Sequence, residues 1–177
     1  MAPILQSLLM ASMAVLVFAN VMKYPEVVPG PSLPSLEEVG LTSAQLYQMG
    51  RPKSLSSAST PPSAAAAHTG CGPTDSAYAN VNDVIACYHY LNNLGDQACH
   101  VPGDFHTVIF CVAGGAAIGG QGLRGDTDHS CREVAAAALW AVDHCTRSDQ
   151  SVAGFQSVAG DDDVVVVDAN RVYLGAS

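Results

Sequence analysis

Six cysteines have the clearest chemistry in this sequence. They lie between positions 71 and 145, and they are Cys71, Cys87, Cys99, Cys111, Cys131 and Cys145. Cysteines and histidines that bind zinc usually follow CxxC or HxxxH spacings, and neither spacing occurs in this sequence. The sequence therefore predicts three disulfide bonds, which are typical of small secreted domains, and it predicts no metal or cofactor.

One disulfide pairing is excluded by geometry. Cys131 and Cys145 lie 14 residues apart on one predicted helix, so their Cα atoms are about 21 Å apart at 1.5 Å per residue. A disulfide tolerates a Cα separation of only about 7 Å. This excludes three of the 15 possible connectivities and leaves twelve open.

A second set of residues could perform acid–base chemistry on a phosphate. His106, Arg132 and Glu133 are the residue types that a small secreted ribonuclease uses as its acid, base and anion clamp. Glu133 is also explained by its position three residues after Ser130, because this spacing forms a capping box at a helix start. The sequence therefore assigns no catalytic residue, and a small hydrolase stays an alternative.

Three residues are candidates for contacting a partner. Arg124 and Asp126 belong to an RGD tripeptide in a glycine-rich stretch, and Trp140 lies off the inward stripe of its predicted helix. Short motifs often match by chance, and such a tryptophan can also pack on a second buried side. Two acidic clusters, Asp126 with Asp128 and Asp161–Asp163, do not follow the spacing of a calcium loop, so solvated turns are expected there.

Two predicted helices carry three of the six cysteines. Asn80 and Asp83 are expected to cap the first helix, and Gly95 is expected to end it. The second helix starts at the box formed by Ser130 and Glu133. Their inward stripes are Val81, Val84, Cys87, Tyr88, Leu91 and Leu94 on the first, and Cys131, Val134, Ala135, Ala138, Val142 and Cys145 on the second.

The strands are predicted at residues 105–113, 117–123, 152–158, 164–167 and 172–174. Both alternating sets in the first of these runs are largely apolar, so it is expected to be a central strand. Together the elements predict an α+β fold, a disulfide-stapled two-layer α/β sandwich with two helices packed on a small, mainly antiparallel sheet. The residues expected to be least exposed include Val84, Leu91, Ile109, Phe110, Val134 and Val142.

The charge of the chain is unevenly distributed. The sequence has 16 Asp and Glu residues against 7 Lys and Arg residues, a net charge of −9. Residues 1–68 carry three charges of each sign, whereas residues 69–177 carry thirteen acids and four arginines. An acidic surface of this kind repels phosphates, so nucleic acid and anionic lipid are not expected as partners.

The N-terminal part is predicted to direct secretion. Residues 1–19 are interpreted as a signal peptide, because the chain is mostly apolar from Ile4 to Phe18 and carries small residues, Val17 and Ala19, three positions and one position before a cleavage site that follows Ala19. A membrane anchor is the alternative, but the run is shorter than the about 20 residues needed to cross a bilayer, so no stable membrane insertion is expected.

Residues 20–69 are predicted to be a largely disordered pro-segment or linker. They are rich in proline, serine and alanine, and a segment of this composition buries little apolar surface. Ser35 and Glu38 have a capping-box spacing that could start a short helix through Leu46, outside the main core. Residues 70–177 are then the cysteine-rich α/β domain.

The arrangement of residues 71–169 resembles a group of secreted proteins. A strand ends in Phe110 and Cys111, the helix SCREVAAAALWAVDHC follows from Ser130, and VAGFQSVAGDDDVVVV follows from Val152. This pattern is similar to the small secreted cysteine-rich fungal effectors of the killer-toxin-like and necrosis-inducing-factor kind. The resemblance implies a disulfide-bonded α/β sandwich that acts outside the cell on a host or a competing microbe.

The function expected from the sequence is therefore that of a secreted, non-enzymatic effector or toxin-like protein. Its partner would be an extracellular protein or a cell-wall component of a host or competitor. Two alternatives stay open, the ribonuclease-like hydrolase described above and a structural protein of the cell wall or cell surface.

Overall fold

The computed structural model describes residues 24–53, 68–158 and 161–176, so the predicted signal peptide lies outside the described residues. The helices are α1 (Ser43–Gln48), α2 (Val81–Leu94) and α3 (Cys131–Cys145). The strands are β1 (Val27–Pro29), β2 (Thr69–Cys71), β3 (Ala79–Asn80), β4 (Ala98–Val101), β5 (Thr107–Ala113), β6 (Ala116–Gly122), β7 (Thr127–Ser130), β8 (Ser151–Val152), β9 (Gly154–Val158) and β10 (Asp161–Asn170).

A six-stranded antiparallel sheet forms one layer, with the strand order β1-β5-β6-β10-β9-β2. Helix α2 packs on β5 and β6, α3 packs on β9 and β10, and the two helices pack on each other. Two short antiparallel ribbons, β3 with β8 and β4 with β7, are separate from this sheet. The predicted disulfide-stabilised α+β fold, with helices on a mainly antiparallel sheet, is confirmed.

The three disulfides join Cys71 to Cys145, Cys87 to Cys111, and Cys99 to Cys131. All six cysteines are paired, and the pairing excluded by helix length does not occur. The first bond ties the end of α3 to β2, the second ties α2 to β5, and the third ties the start of α3 to β4. Each bond therefore connects a helix to a strand.

Helix α3 begins and packs as its sequence predicts. The Ser130 side chain accepts a hydrogen bond from the Glu133 amide, and the Glu133 carboxylate accepts one from the Ser130 amide at 3.0 Å. The small residues of the helix allow a close approach to the sheet, because a Cβ atom built on Gly154 would lie 2.9 Å from the Cβ of Ala141. All six residues of the predicted inward stripe are buried.

Helix α2 begins and ends where the sequence predicts, but Asp83, which was predicted to help cap it, has a different role. The Asn80 side chain accepts from the Asn82 amide, and Gly95 ends the helix with a φ of 61°. Asp83 does not complete the cap. Its carboxylate instead accepts hydrogen bonds from Tyr47 Oη at 2.8 Å and from the Gly115 amide at 3.0 Å. Asp83 therefore joins α2 to α1 and to the turn between β5 and β6.

Five of the six residues expected in the core are buried, and Ile109 is the exception. The register of β5 against β6 shifts between Ile109 and Cys111. This bulge brings the adjacent residues Phe110 and Cys111 both into the core. Ile109 is half-buried, because strict alternation does not hold across a bulge. The expectation that β5 is central is confirmed, since β1 and β6 flank it.

Two predictions near the C-terminus are wrong. Residues 172–174 form a turn, because the Asn170 side chain accepts from the Val172 amide and the backbone then folds back on itself. Residues Asp161–Asp163, predicted to be a turn, are the beginning of β10. A polar residue that binds its own backbone two positions later favours a turn over a strand.

The prediction that residues 20–69 are largely disordered is wrong for residues 24–53. Strand β1 pairs with β5, and Leu46 of α1 is 0% exposed. Ser35 and Glu38 do form reciprocal hydrogen bonds, but they enclose a turn, and the helix begins seven residues after Leu36 at Ser43. Its cap is Thr42, which pairs reciprocally with Gln45. The segment therefore buries more apolar surface than its proline-rich and serine-rich composition indicates.

Candidate functional site

Two loops lie side by side at one end of the sheet. The Phe105 loop (residues 102–106) connects β4 to β5, and the Arg124 loop (residues 123–126) connects β6 to β7. Because β4 pairs with β7 and β5 pairs with β6, the topology forces the two loops together. An exposed aromatic residue, Phe105, and two of the residues predicted to contact a partner, Arg124 and Asp126, therefore lie on adjoining loops.

Glycine allows the two loop backbones to touch. A Cβ atom built on Gly103 would lie 2.6 Å from the Arg124 carbonyl oxygen and closer still to Gly125. A Cβ atom built on Gly122 would lie 2.5 Å from the Pro102 carbonyl oxygen. Real Cβ atoms do not approach other atoms so closely, so a larger residue at Gly103 would force the loops apart.

Phe105 has an unusual backbone conformation and is exposed. Its φ angle is 62°, in the left-handed region that a bulky residue rarely adopts. Its side chain is nevertheless presented to solvent, since the residue is 63% exposed. Left-handed backbone in a residue other than glycine costs about 1–3 kcal/mol and is retained only where the surroundings enforce it.

Hydrogen bonds on both sides hold Phe105 in this conformation. Its carbonyl oxygen accepts from Gln121 Nε2 at 2.6 Å. Asp104 accepts from the His106 amide at 3.0 Å and contacts His106 Nδ1 at 2.8 Å. These contacts, chiefly the hydrogen bonds from His106, lower the pKa of Asp104, so its carboxylate stays charged. The loop therefore presents an apolar ring beside a fixed negative charge.

Arg124 and Asp126 both lie at this surface. The Asp126 carboxylate accepts a hydrogen bond from the Gly103 amide at 2.9 Å, which fixes the two loops to each other. Asp128 accepts from His100 across the ribbon at 2.9 Å. The aspartate of the RGD tripeptide thus has a structural role, whereas Arg124 is exposed on the same loop.

Trp140 lies on α3, away from an inward position. Its side chain is half-buried, packs against the core, and stacks on the His144 ring at a centroid distance of 4.5 Å. His144 Nδ1 also donates to the Trp140 carbonyl oxygen at 2.8 Å. The indole is therefore partly covered by its own helix, in contrast to the ring of Phe105.

The three residues of the hydrolase alternative each have a separate partner. His106 contacts Asp104, Arg132 lies 3.4 Å from Asp96, and Glu133 caps α3. The pKa of Glu133 is lowered, first by its hydrogen bonds from Ser130, so it is a poor proton donor. Each of the three side chains therefore has its own local contact, and these contacts do not require a reaction in which all three take part.

Asp168 is a buried carboxylate that the sequence analysis did not single out. It shares one side of β10 with Val164 and Val166, so it faces the helices, and it is 1% exposed. Neither carboxylate oxygen has a hydrogen-bond partner among the described residues. Burial raises the pKa of Asp168 well above its usual range. The run of valines around it predicts a strand but gives no sign that a carboxylate lies within the core.

Within the described residues, no helix is long and apolar enough to cross a membrane. Among the same residues, no group of three or more histidine, cysteine, aspartate or glutamate side chains is placed to hold a metal ion.

The fold and the cysteine pairing define a disulfide-stabilised α+β domain. The chain belongs to a family described as a domain of unknown function (DUF8794), whose family model matches residues 66–170, more than half of the sequence. No curated protein and no solved structure matches the chain.

Proposed function

We propose that this protein is secreted and acts as a non-enzymatic effector or toxin-like protein, and that the Phe105 loop contacts its extracellular partner. The conformation of Phe105 is the observation that carries the proposal. An exposed aromatic ring in a left-handed conformation reduces stability, and such strain is typically found at sites selected for function. Aromatic residues, phenylalanine among them, are also enriched in protein interfaces relative to the rest of the surface.

The rigidity of the loop supports a binding function. Gln121 and Asp104 hold the backbone on either side of Phe105, and Asp126 ties the loop to its neighbour. A loop whose backbone is already held in place loses less conformational entropy on binding, which favours affinity. The nearby charges of Asp104 and Arg124 could orient a protein or cell-wall component, whereas the net charge of −9 disfavours nucleic acid.

The deciding experiment is the substitution Phe105→Gly. Glycine adopts a φ of 62° without strain but makes the unfolded chain more flexible, so the free energy of unfolding should stay the same or rise by up to about 1 kcal/mol. The ring is lost at the same time. We expect at least a tenfold loss of potency when the purified variant is infiltrated into plant tissue or applied to competing fungi, with cell death or growth arrest as the readout.

Tyr173→Gly is the matched control, because it removes another exposed aromatic ring, 46% exposed, from the turn after β10. Its potency should equal that of the wild type. If Phe105→Gly kept full potency, or if both variants lost it equally, the Phe105 loop would not be the contact surface.

The two alternatives have direct tests. A hydrolase would cleave RNA, glycans or peptides incubated with the purified protein, and His106→Ala should abolish that cleavage. A structural wall protein would bind isolated cell walls and cause neither cell death nor growth arrest. Either result would replace the effector proposal.

A further inference from the structure

Residues 24–53, here called the N-terminal segment, cover one surface of the domain. Strand β1 pairs with residues 111–113 of β5, and α1 packs on α2. Val27 is 2% exposed and Leu46 is 0% exposed. The segment thus adds a strand to a sheet edge and a helix to a helix, two modes by which proteins recognise peptides.

Polar groups of α2 are paired with this segment. Tyr90 Oη donates to the Pro34 carbonyl oxygen at 2.6 Å, and His89 Nε2 donates to the Gly50 carbonyl oxygen at 2.7 Å. Asp83, which is 9% exposed, accepts from Tyr47 Oη at 2.8 Å. Buried polar groups are usually paired, and here the segment supplies the partners, so this face of α2 is suited to being covered.

The covered surface is fixed independently of the segment. The bond between Cys87 and Cys111 ties α2 directly to β5, the two elements on which the segment lies. All three disulfides fall within residues 71–145, so none holds the segment. The family model also begins at residue 66 and leaves the segment out. The surface should therefore keep its shape when the segment leaves.

We infer that the N-terminal segment is a dissociable ligand of this domain, bound in cis to a docking surface formed by α2 and β5. The ligand that this surface accepts is a peptide with an extended strand followed by a short helix. The sequence between segment and domain includes Ser54–Ser63, which consists almost entirely of serine, threonine, alanine and proline. A covalent tether of this kind raises the effective concentration of a ligand and keeps it bound. This inference does not depend on the Phe105 loop.

Cleavage of the tether in the full chain tests the inference. A specific protease recognition sequence is placed within Ser54–Ser63, and the purified protein is cut there. The cut segment should stay bound at high concentration and separate on dilution. A fluorescent synthetic peptide of residues 24–53 should then bind the remaining protein, which should keep its circular dichroism spectrum and its three disulfides.

Two peptides that differ from the native one by a single hydroxyl provide matched variants. Tyr47→Phe removes the donor to Asp83 and should weaken binding at least about tenfold, because the carboxylate is left buried without that partner. Tyr24→Phe keeps the ring that stacks on Tyr47 at 5.2 Å and should bind like the native peptide.

Three results would overturn the inference. The segment could separate only when the remaining protein unfolds, which would make it an inseparable part of the core. The two variant peptides could bind equally, which would mean that the peptide does not occupy the site seen in the structure. The uncut protein could form dimers that exchange segments, which would assign the surface to a second copy of the chain and not to occupancy in cis.

Discussion

The helix-covered side of the sheet and the pair of loops at its end are stabilised in different ways. Under the helices, apolar side chains and three disulfides hold the elements together, and the most unusual residue is the buried carboxylate of Asp168. At the loops, glycine contacts and hydrogen bonds hold the backbone, and the most unusual residue is the exposed ring of Phe105. The helix-covered side buries an ionisable carboxyl group, whereas the loops expose an apolar ring.

The two exceptions differ in what they mean. A buried carboxylate can avoid its cost by remaining protonated, so Asp168 makes stability depend on pH. Strained backbone has no such escape, and the strain at Phe105 persists at every pH. Stability on the covered side should therefore depend on pH, whereas the strain in the loops supports the binding role proposed above. Four measurements test this difference between the two regions.

Reduction of the disulfides should have the largest effect. Each bond contributes about 2–4 kcal/mol, so losing all three removes an amount comparable with the whole stability of a small domain. We expect complete reduction to unfold the protein and to abolish its activity. Circular dichroism before and after reduction measures this, and thiol titration of the unfolded, unreduced protein should find no free thiol. A reduced protein with an unchanged spectrum would show that burial alone holds the covered side.

Asp168→Asn should have the next largest effect, and it should depend on pH. The pKa of Asp168 is raised in the folded state, so the folded protein binds the proton more tightly than the unfolded chain does. The contribution of Asp168 to stability is therefore fully present below the pKa of an unfolded aspartate, near 4, and about 1.4 kcal/mol of it is lost for each unit of pKa shift as the pH rises to the folded pKa.

Asparagine is similar in shape but stays neutral, so the variant should lack this loss. Urea unfolding of both proteins at pH 4 and pH 8 gives the comparison. The variant should be the more stable protein at pH 8, and the difference should shrink at pH 4. An equal difference at both pH values would mean that the pKa of Asp168 is not raised in the folded protein.

The covered side was largely predictable from the sequence, because apolar periodicity and cysteine content act through residue type. The stripe of α3, its Ser130 cap and the need for disulfides were all visible. The pairing of the cysteines was not, since twelve connectivities fit the sequence equally well. The bulge at Phe110 and the burial of Asp168 depend on how neighbouring strands align, which composition does not reveal.

The N-terminal segment and the loops were predicted less well for a physical reason. Each depends on contacts between residues far apart in sequence, such as Tyr90 with Pro34 or Gly103 with Gly125. Proline-rich composition gave no sign that β1 adds to the sheet. Phe105 was predicted to begin a strand because residues 105–113 form a β-rich run of Thr, Val, Ile and Phe. Its φ of 62° instead places it in the loop before β5, and an aromatic residue rarely adopts a positive φ.

Gly103→Ala should have an intermediate effect that is confined to the loops. The new Cβ atom would collide with the backbone at Gly125 and must push the two loops apart. Overpacking of this kind costs about 1–3 kcal/mol. Hydrogen exchange should become faster at residues 102–106 and 123–126 and stay unchanged in α2 and β10. Gly115→Ala is the control, because no atom lies within 4 Å of its added Cβ. Faster exchange throughout the sheet would show that the loops and the covered side are one cooperative unit.

Ser130→Ala should have the smallest effect and lies where the two regions meet, since Ser130 ends β7 and caps α3. The substitution removes the hydrogen bond to the Glu133 amide and leaves the Glu133 carboxylate without the Ser130 hydroxyl at 2.9 Å. Loss of such a cap costs about 1 kcal/mol. In urea unfolding, the variant should show a lower free energy of unfolding and an unchanged dependence of that free energy on urea concentration.

The hydrogen bonds from Ser130 are the chief cause of the lowered pKa of Glu133. That pKa should therefore rise in the Ser130→Ala variant, and NMR titration of the carboxyl groups can follow it. Thr42→Ala removes the equivalent cap from α1 and should leave the pKa of Glu133 unchanged. If both variants shifted the pKa of Glu133 equally, the hydrogen bonds of the α3 cap would not be the cause of its lowered pKa.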